Sequence, residues 1–185
     1  MPTQPAAPQW PQDASDAGAP SASPPEPQAA TASSQPPVGD AIASTASKFV
    51  GANAAGIVPF LQQTGQSLDP TRSNWCAAFG TGLLQANGVE GVQGPGKNIA
   101  TSFLNWGTPA EGDLQPGDVL VQPRGHPAGG LGGHVGIATG HITVGHGQTY
   151  VLMQSGNLNG RVAYSWEPAQ SLVVRRAPQP PQQAQ

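Results

Sequence analysis

The chain has 185 residues, a formal net charge of -3 and only 9% charged side chains. Its one basic pair is Arg175-Arg176, so composition excludes the electrostatic footprint that nucleic-acid binding needs. No apolar run approaches the ~20 residues of a membrane span. The start at Met1 has neither a charged nor an apolar leader region, so we expect no conventional secretory leader. With its single cysteine, the chain forms no internal disulfide.

Proline is concentrated near the ends of the chain and suggests its division. Residues 1–37 are mostly Pro, Ala, Gln and Ser, and they bury too little apolar surface to offset the entropy cost of ordering. We predict a disordered arm there, and a disordered tail at 177–185 for the same reason. Residues 38–176 remain, a suitable length for one domain.

The first half of this domain has helical spacing. Apolar positions predict helices over 41–49, over 54–63, from Cys76 to about Ala86, and over 99–106. Ser73 and Asn74 are the expected caps of the third helix. Gly80 and Gly82 inside that helix indicate close approach to another backbone, such as a sheet.

The second half changes to strand spacing. Residues 115–118 (QPGD) predict a type II turn, with Pro second and Gly third. Predicted strands follow, separated by Gly and Pro, near 119–121, 134–139, 149–154, 161–166 and 172–175. Helices followed by antiparallel strands predict an α+β fold, with N-terminal helices packed on a small antiparallel sheet.

Cys76 is the first candidate for chemistry. It follows a polar pair and begins an apolar run at helical spacing, in residues 73–79 (SNWCAAF). In the first turn of a helix, free N–H groups and the helix dipole favour the thiolate. The first turn is also usually less buried than the middle of a helix. A buried small hydrophobe is the alternative, and it is the common fate of a free cysteine.

His134 is the second candidate, in residues 133–138 (GHVGIA). Strand alternation puts His134, Gly136 and Ala138 on one face. Because its neighbours there are small, a helix could approach this face and place the Cys76 thiol beside the imidazole. The alternative is a solvent-facing or hydrogen-bonded histidine in a glycine-rich loop.

Three further histidines surround this segment, His126, His141 and His146. They have no paired spacing of the kind that zinc sites use, so we interpret them as surface residues. The sequence therefore predicts no metal site.

Asn157 follows a predicted strand, where its amide oxygen could orient the imidazole. Turn chemistry explains it equally well, and Asn159 is a rival for the role. For the oxyanion of an acyl-transfer reaction, the Cys76 backbone N–H is one natural donor. A side-chain donor is less determined, with Asn74 or Ser73 as candidates.

Five segments together resemble papain-like bacterial cell-wall hydrolases of the NlpC and CHAP type, in particular a phage and prophage subgroup. These are 74–79 (NWCAAF), 102–107 (SFLNWG), 115–119 (QPGDV), 133–136 (GHVG) and 156–157 (GN). The similarity covers roughly residues 57–176. Relatives carry Leu-Gly-Gly where this chain has 154–156 (QSG), and larger residues in place of Gly80-Thr81-Gly82.

The resemblance implies a papain-like fold with Cys76 as nucleophile, His134 as base and Asn157 as the residue that orients it. It implies a cysteine peptidase or amidase that cleaves stem-peptide amide bonds of peptidoglycan without a cofactor. We expect a virion location, with the arm contacting tail or baseplate proteins. The alternatives are a non-catalytic structural virion protein, a free endolysin or an injected wall-degrading effector.

Overall fold

A computed structural model describes residues 36–125 and 131–178. All but the last two residues of the predicted arm lie outside this part. The predicted tail lies outside it from residue 179 onward, and so does His126.

Three α-helices come first: α1 (Val38–Ser47), α2 (Ala54–Gln63) and α3 (Cys76–Ala86). The bounds predicted for the second helix and the start predicted for the third are confirmed. Asn53 caps α2 by accepting a hydrogen bond from the Gly56 N–H at 2.9 Å. The predicted cap of α3 is wrong, because Trp75 occupies the N-cap position and makes no side-chain cap bond. The predicted fourth helix is a 3₁₀ helix, Ala100–Asn105.

The strands form one antiparallel sheet. They are β1 (Thr108–Pro109), β2 (Val119–Gly125), β3 (Leu131–Gly145), β4 (Gln148–Leu158), β5 (Arg161–Pro168) and β6 (Val173–Arg176). Their order across the sheet is β1-β6-β2-β3-β4-β5. The predicted turn before β2 is confirmed, with Gly117 at φ +84° and the Asp118 N–H bonded to the Gln115 carbonyl. The fold is thus α+β, as predicted.

The sheet has two differently covered faces. The helices pack on the face that includes Val119, Val121, Val135 and Ile137, and together they form the main apolar core. The other face carries a smaller cluster, Leu120, Ala138, Val151 and Met153. We call these the helix face and the open face. They alternate along each strand because successive side chains point to opposite sides.

Gly80 and Gly82 of α3 lie against side chains. The prediction that they allow another backbone to approach is wrong. A Cβ at Gly82 would lie 2.7 Å from Thr64 Oγ1 and 3.0 Å from the Phe60 ring of α2. At Gly80 the nearest atom would be in the Phe103 ring, at 3.5 Å. These glycines therefore admit the side chains of neighbouring helices.

The basic pair Arg175-Arg176 serves the fold. Arg176 binds the buried carboxylate of Asp118 with two hydrogen bonds of 2.7 Å. Arg175 donates to the carbonyls of Trp106 and Gly107. Both side chains thus tie β6 to neighbouring loops.

Within the described ranges, no helix is both long and apolar enough to cross a membrane.

Candidate active site

Cys76 is the first residue of α3, and its side chain is buried. Only 7% of it is exposed, and it belongs to the apolar core on the helix face. The sulfur lies beside three backbone N–H groups, those of Val135 on β3, Ala77 and Cys76 itself. The thiol therefore interacts with the backbone of the histidine strand one residue after His134.

Burial raises the pKa of the Cys76 thiol. The three N–H groups lower it, and so does the charge of Arg124, but these effects are smaller than the cost of desolvating a thiolate. The sequence predicts a thiolate at this helix start. That prediction is wrong for the structure at rest, in which a neutral thiol is favoured, although the helix N–H groups act in the expected direction.

His134 lies on β3. The prediction that a helix covers the face of the strand that carries His134 is wrong. Val135 and Ile137 pack against the helices, whereas Ala138 packs with Met153 on the open face. By alternation, His134 shares the open face with Ala138. The helix carrying Cys76 therefore does not cover the His134 face. It approaches β3 from the other side and reaches the backbone at Val135.

The imidazole has a partner that the sequence did not suggest. His134 Nε2 lies 2.8 Å from Ser155 Oγ, and Ser155 is fully buried. In the described part of the chain, Nδ1 has no hydrogen-bond partner, and no hydrogen bond joins the imidazole to Cys76. Ser155 is therefore the residue that orients the ring in this structure.

Burial lowers the pKa of His134, and the charge of Arg124 lowers it further, whereas Glu167 raises it. The imidazole is therefore neutral at pH 7 and able to accept a proton. A chain of hydrogen bonds holds these charges: Gln122 donates to Glu167 Oε2 at 2.9 Å, and Arg124 donates to Gln122 Oε1 at 2.8 Å.

Asn157 contacts Asn74, and the prediction that it orients the imidazole is not met. The β4–β5 register shifts between Ser155 and Leu158, and Asn157 has a φ of +60° at this bulge. The bulge redirects its side chain, which donates from Nδ2 to Asn74 Oδ1 at 3.0 Å. The rival, Asn159, lies in the turn between β4 and β5. The polar residues in 154–155 (QS), just before Gly156, were the available signal for Ser155.

Two groups were predicted as oxyanion donors, the Cys76 N–H and the Asn74 side chain. The Cys76 N–H is at the start of α3, where no partner within the helix exists, and it faces the sulfur. The Asn74 carbonyl oxygen is occupied by Asn157, which leaves its Nδ2 group as a donor. The Cys76 N–H and the Asn74 Nδ2 group therefore stay predicted oxyanion donors.

Two motif glycines keep the strands close to their neighbours. A Cβ at Gly156 would lie 2.6 Å from the Trp75 ring and 2.9 Å from Phe79 Cβ, both at α3. A Cβ at Gly136 would lie 2.7 Å from the Gln154 carbonyl oxygen and 2.6 Å from Met153 Cγ. Glycine is therefore required at position 156 for α3 to approach β4, and at position 136 for β4 to approach β3.

Among residues 36–125 and 131–178, no group of three or more His, Cys, Asp and Glu side chains could hold a metal ion. His141 is exposed, and its Nδ1 lies 3.1 Å from Thr139 Oγ1.

Comparisons with known proteins found no match, neither to a protein-family model, nor to a curated protein, nor to a solved structure.

Proposed function

We propose that the chain is a papain-like cysteine peptidase or amidase that cleaves stem-peptide amide bonds of bacterial peptidoglycan. The observation that carries the proposal is the interaction of the Cys76 sulfur with the Val135 N–H, one residue after a neutral histidine whose Nδ1 has no hydrogen-bond partner among the described residues. The five ordered segments that resemble cell-wall hydrolases supply the substrate class. Peptide hydrolysis by this set needs no cofactor.

The proposed mechanism uses neutral partners. If His134 Nε2–H donates to Ser155, the lone pair on Nδ1 can take the thiol proton as the sulfur attacks the amide carbonyl. The Cys76 N–H stabilises the oxyanion. His134 then protonates the leaving amine, and it activates water for hydrolysis of the thioester. In this structure the sulfur and the ring lie on opposite faces of β3, so the proposed proton transfer requires the His134 ring to move to the Cys76 side of the strand when substrate binds.

The test is loss of turbidity of purified sacculi. Cys76→Ala and His134→Ala should each reduce the rate by ~10³-fold or more, because either change removes the proton-transfer pair. His141→Ala is the matched control and should keep the wild-type rate, since that side chain is exposed. Wild-type activity in Cys76→Ala would refute the mechanism. Muropeptide analysis of the digest would identify the bond.

A non-catalytic structural protein with the same fold is the second candidate. The buried thiol with its raised pKa, and the lack of a bond between thiol and imidazole, favour it. Iodoacetamide kinetics on the protein with sacculi bound distinguish the two. A faster reaction on binding supports a nucleophile, whereas an inert thiol on sacculi that remain intact supports a scaffold.

We propose the virion as the location, with residues 1–37 contacting tail or baseplate proteins. Mass spectrometry of purified particles should find the chain. Its absence from particles would favour a free endolysin or an injected wall-degrading effector.

A further inference from the structure

A groove lies directly beside the start of α3, on the side of the loop that precedes Cys76. Its volume is about 680 Å³. The loop residues 70–75 form one wall, and the other lining residues are Ala54, Asn157 and Gly160. Trp75 lines the groove and Cys76 is the next residue, so the groove adjoins the start of the helix that carries the thiol.

The β4 bulge gives this groove a polar wall. Asn157 is turned from the open face toward Asn74, and their side chains are joined at 3.0 Å. That bond uses Asn157 Nδ2 and Asn74 Oδ1, which leaves the Asn157 oxygen as an acceptor and the Asn74 Nδ2 group as a donor. One free donor and one free acceptor side by side match the C=O and N–H of an extended peptide.

The groove also carries a positive charge, that of Arg72. Among the described residues, Arg72 is the only charged one that lines it. Its side chain is 86% exposed, and its ion pair with Asp69 is 3.8 Å long. A guanidinium so weakly engaged can exchange this contact for a ligand carboxylate, which it binds with two parallel hydrogen bonds.

We propose that the groove binds an extended peptide that carries a free carboxylate. Asn74 and Asn157 pair with the peptide main chain, and Arg72 binds the carboxylate. This inference rests on the proposed function, because stem peptides supply both groups and the groove adjoins Cys76. It assigns Asn157 to substrate binding.

The experiment measures binding without turnover, by calorimetry on the Cys76→Ala protein. The probes are a synthetic stem tetrapeptide and its fully amidated form. Arg72→Gln should weaken binding of the free acid by roughly fivefold and leave the amidated form unchanged. Asn157→Gly should weaken both forms, and glycine tolerates the positive φ there. Lys48→Gln, which removes an exposed charge outside the groove, should change neither.

Other outcomes would overturn the inference. These are absence of binding to the parent protein, equal affinity of the Arg72→Gln and parent proteins for the free acid, or tighter Arg72-dependent binding of an N-acetylglucosamine oligomer, which would indicate a glycan site. Failure of the hydrolase proposal is separate, because it is read from sacculus digestion by the wild-type protein. Peptide binding without digestion would support the groove and reject the hydrolase.

Discussion

The helix face and the open face of the sheet differ in what they bury. On the helix face, Trp75, Phe79 and Ile137 are at most 1% exposed, and Phe79 has edge contacts with three other aromatic rings. The open face has a four-residue apolar cluster, and beside it lies a polar group around His134 and Ser155.

This difference shows how one strand can serve both stability and chemistry. Val135 anchors β3 to the helices, and the next residue back, His134, presents its ring to the other side. The Cys76 thiol comes from the apolar side and meets the strand backbone between them. Packing on the helix face therefore holds the thiol in place. Burial on the open face lowers the pKa of the imidazole.

Removal of an aromatic ring from the helix face should have the largest effect on stability. Phe79→Ala should lower the free energy of unfolding by about 4 kcal/mol, since it leaves a cavity among packed rings. Met153→Ala on the open face should cost about 2 kcal/mol, because its cluster is smaller and collapses more easily. Urea denaturation measures both. A greater loss for Met153→Ala would invert the comparison. Val144→Ala, at a residue 63% exposed, is the control.

Adding a methyl group between β4 and α3 should have the next largest effect. Gly156→Ala should destabilise the protein by about 1–3 kcal/mol, because the new Cβ would overlap Trp75 and Phe79. Gly56→Ala in α2 is the matched control. Its Cβ would meet nothing closer than 3.5 Å, so helix propensity should make it neutral or slightly stabilising. Thermal melts of the two variants should shift in opposite directions or differ clearly in size.

Loss of the Ser155 hydroxyl should have a smaller cost in stability, about 1 kcal/mol, because one buried hydrogen bond to His134 is lost. Its distinctive sign is a change in the ¹⁵N shifts of the His134 ring, as the Nε2 bond disappears. Ser165→Ala is the control, since Ser165 Oγ is buried and has no hydrogen-bond partner in the part of the chain that the structure describes. Unchanged ring shifts in Ser155→Ala would show that Ser155 does not orient the ring.

The smallest expected effect is a pH dependence of stability. Because the folded protein holds the pKa of His134 below its ordinary value of 6.5, folding opposes protonation of the ring. The neutral ring's contribution to the free energy of unfolding is therefore fully present above pH 6.5 and is lost as the pH falls below that value. From about pH 7 to about pH 5, wild type should lose more stability than His134→Gln. Parallel curves for His134→Gln and wild type would contradict the assignment.

Local signals were enough to predict much of the architecture. Apolar periodicity gave α2 and the start of α3, and the Pro-Gly-Asp turn gave the start of β2. Both depend on residues close together in the chain, where backbone geometry and side-chain spacing are linked directly. The placement of Cys76 at a helix start followed from these same signals, whereas the prediction that its helix covers the His134 face of the strand was wrong.

Tertiary structure decided the rest of the site. Alternation established that His134 and Val135 point apart, but which of them faces the helices depends on packing of α3 against β3. The partner of the imidazole depends on a bulge in β4, which turns Asn157 to Asn74 and leaves Ser155 for the ring. The sequence alone determined an α+β domain with a cysteine at a helix start and a histidine on a strand. Burial and strand register, which sum contacts distant in the chain, determined the protonation of both groups and the residue that orients the ring.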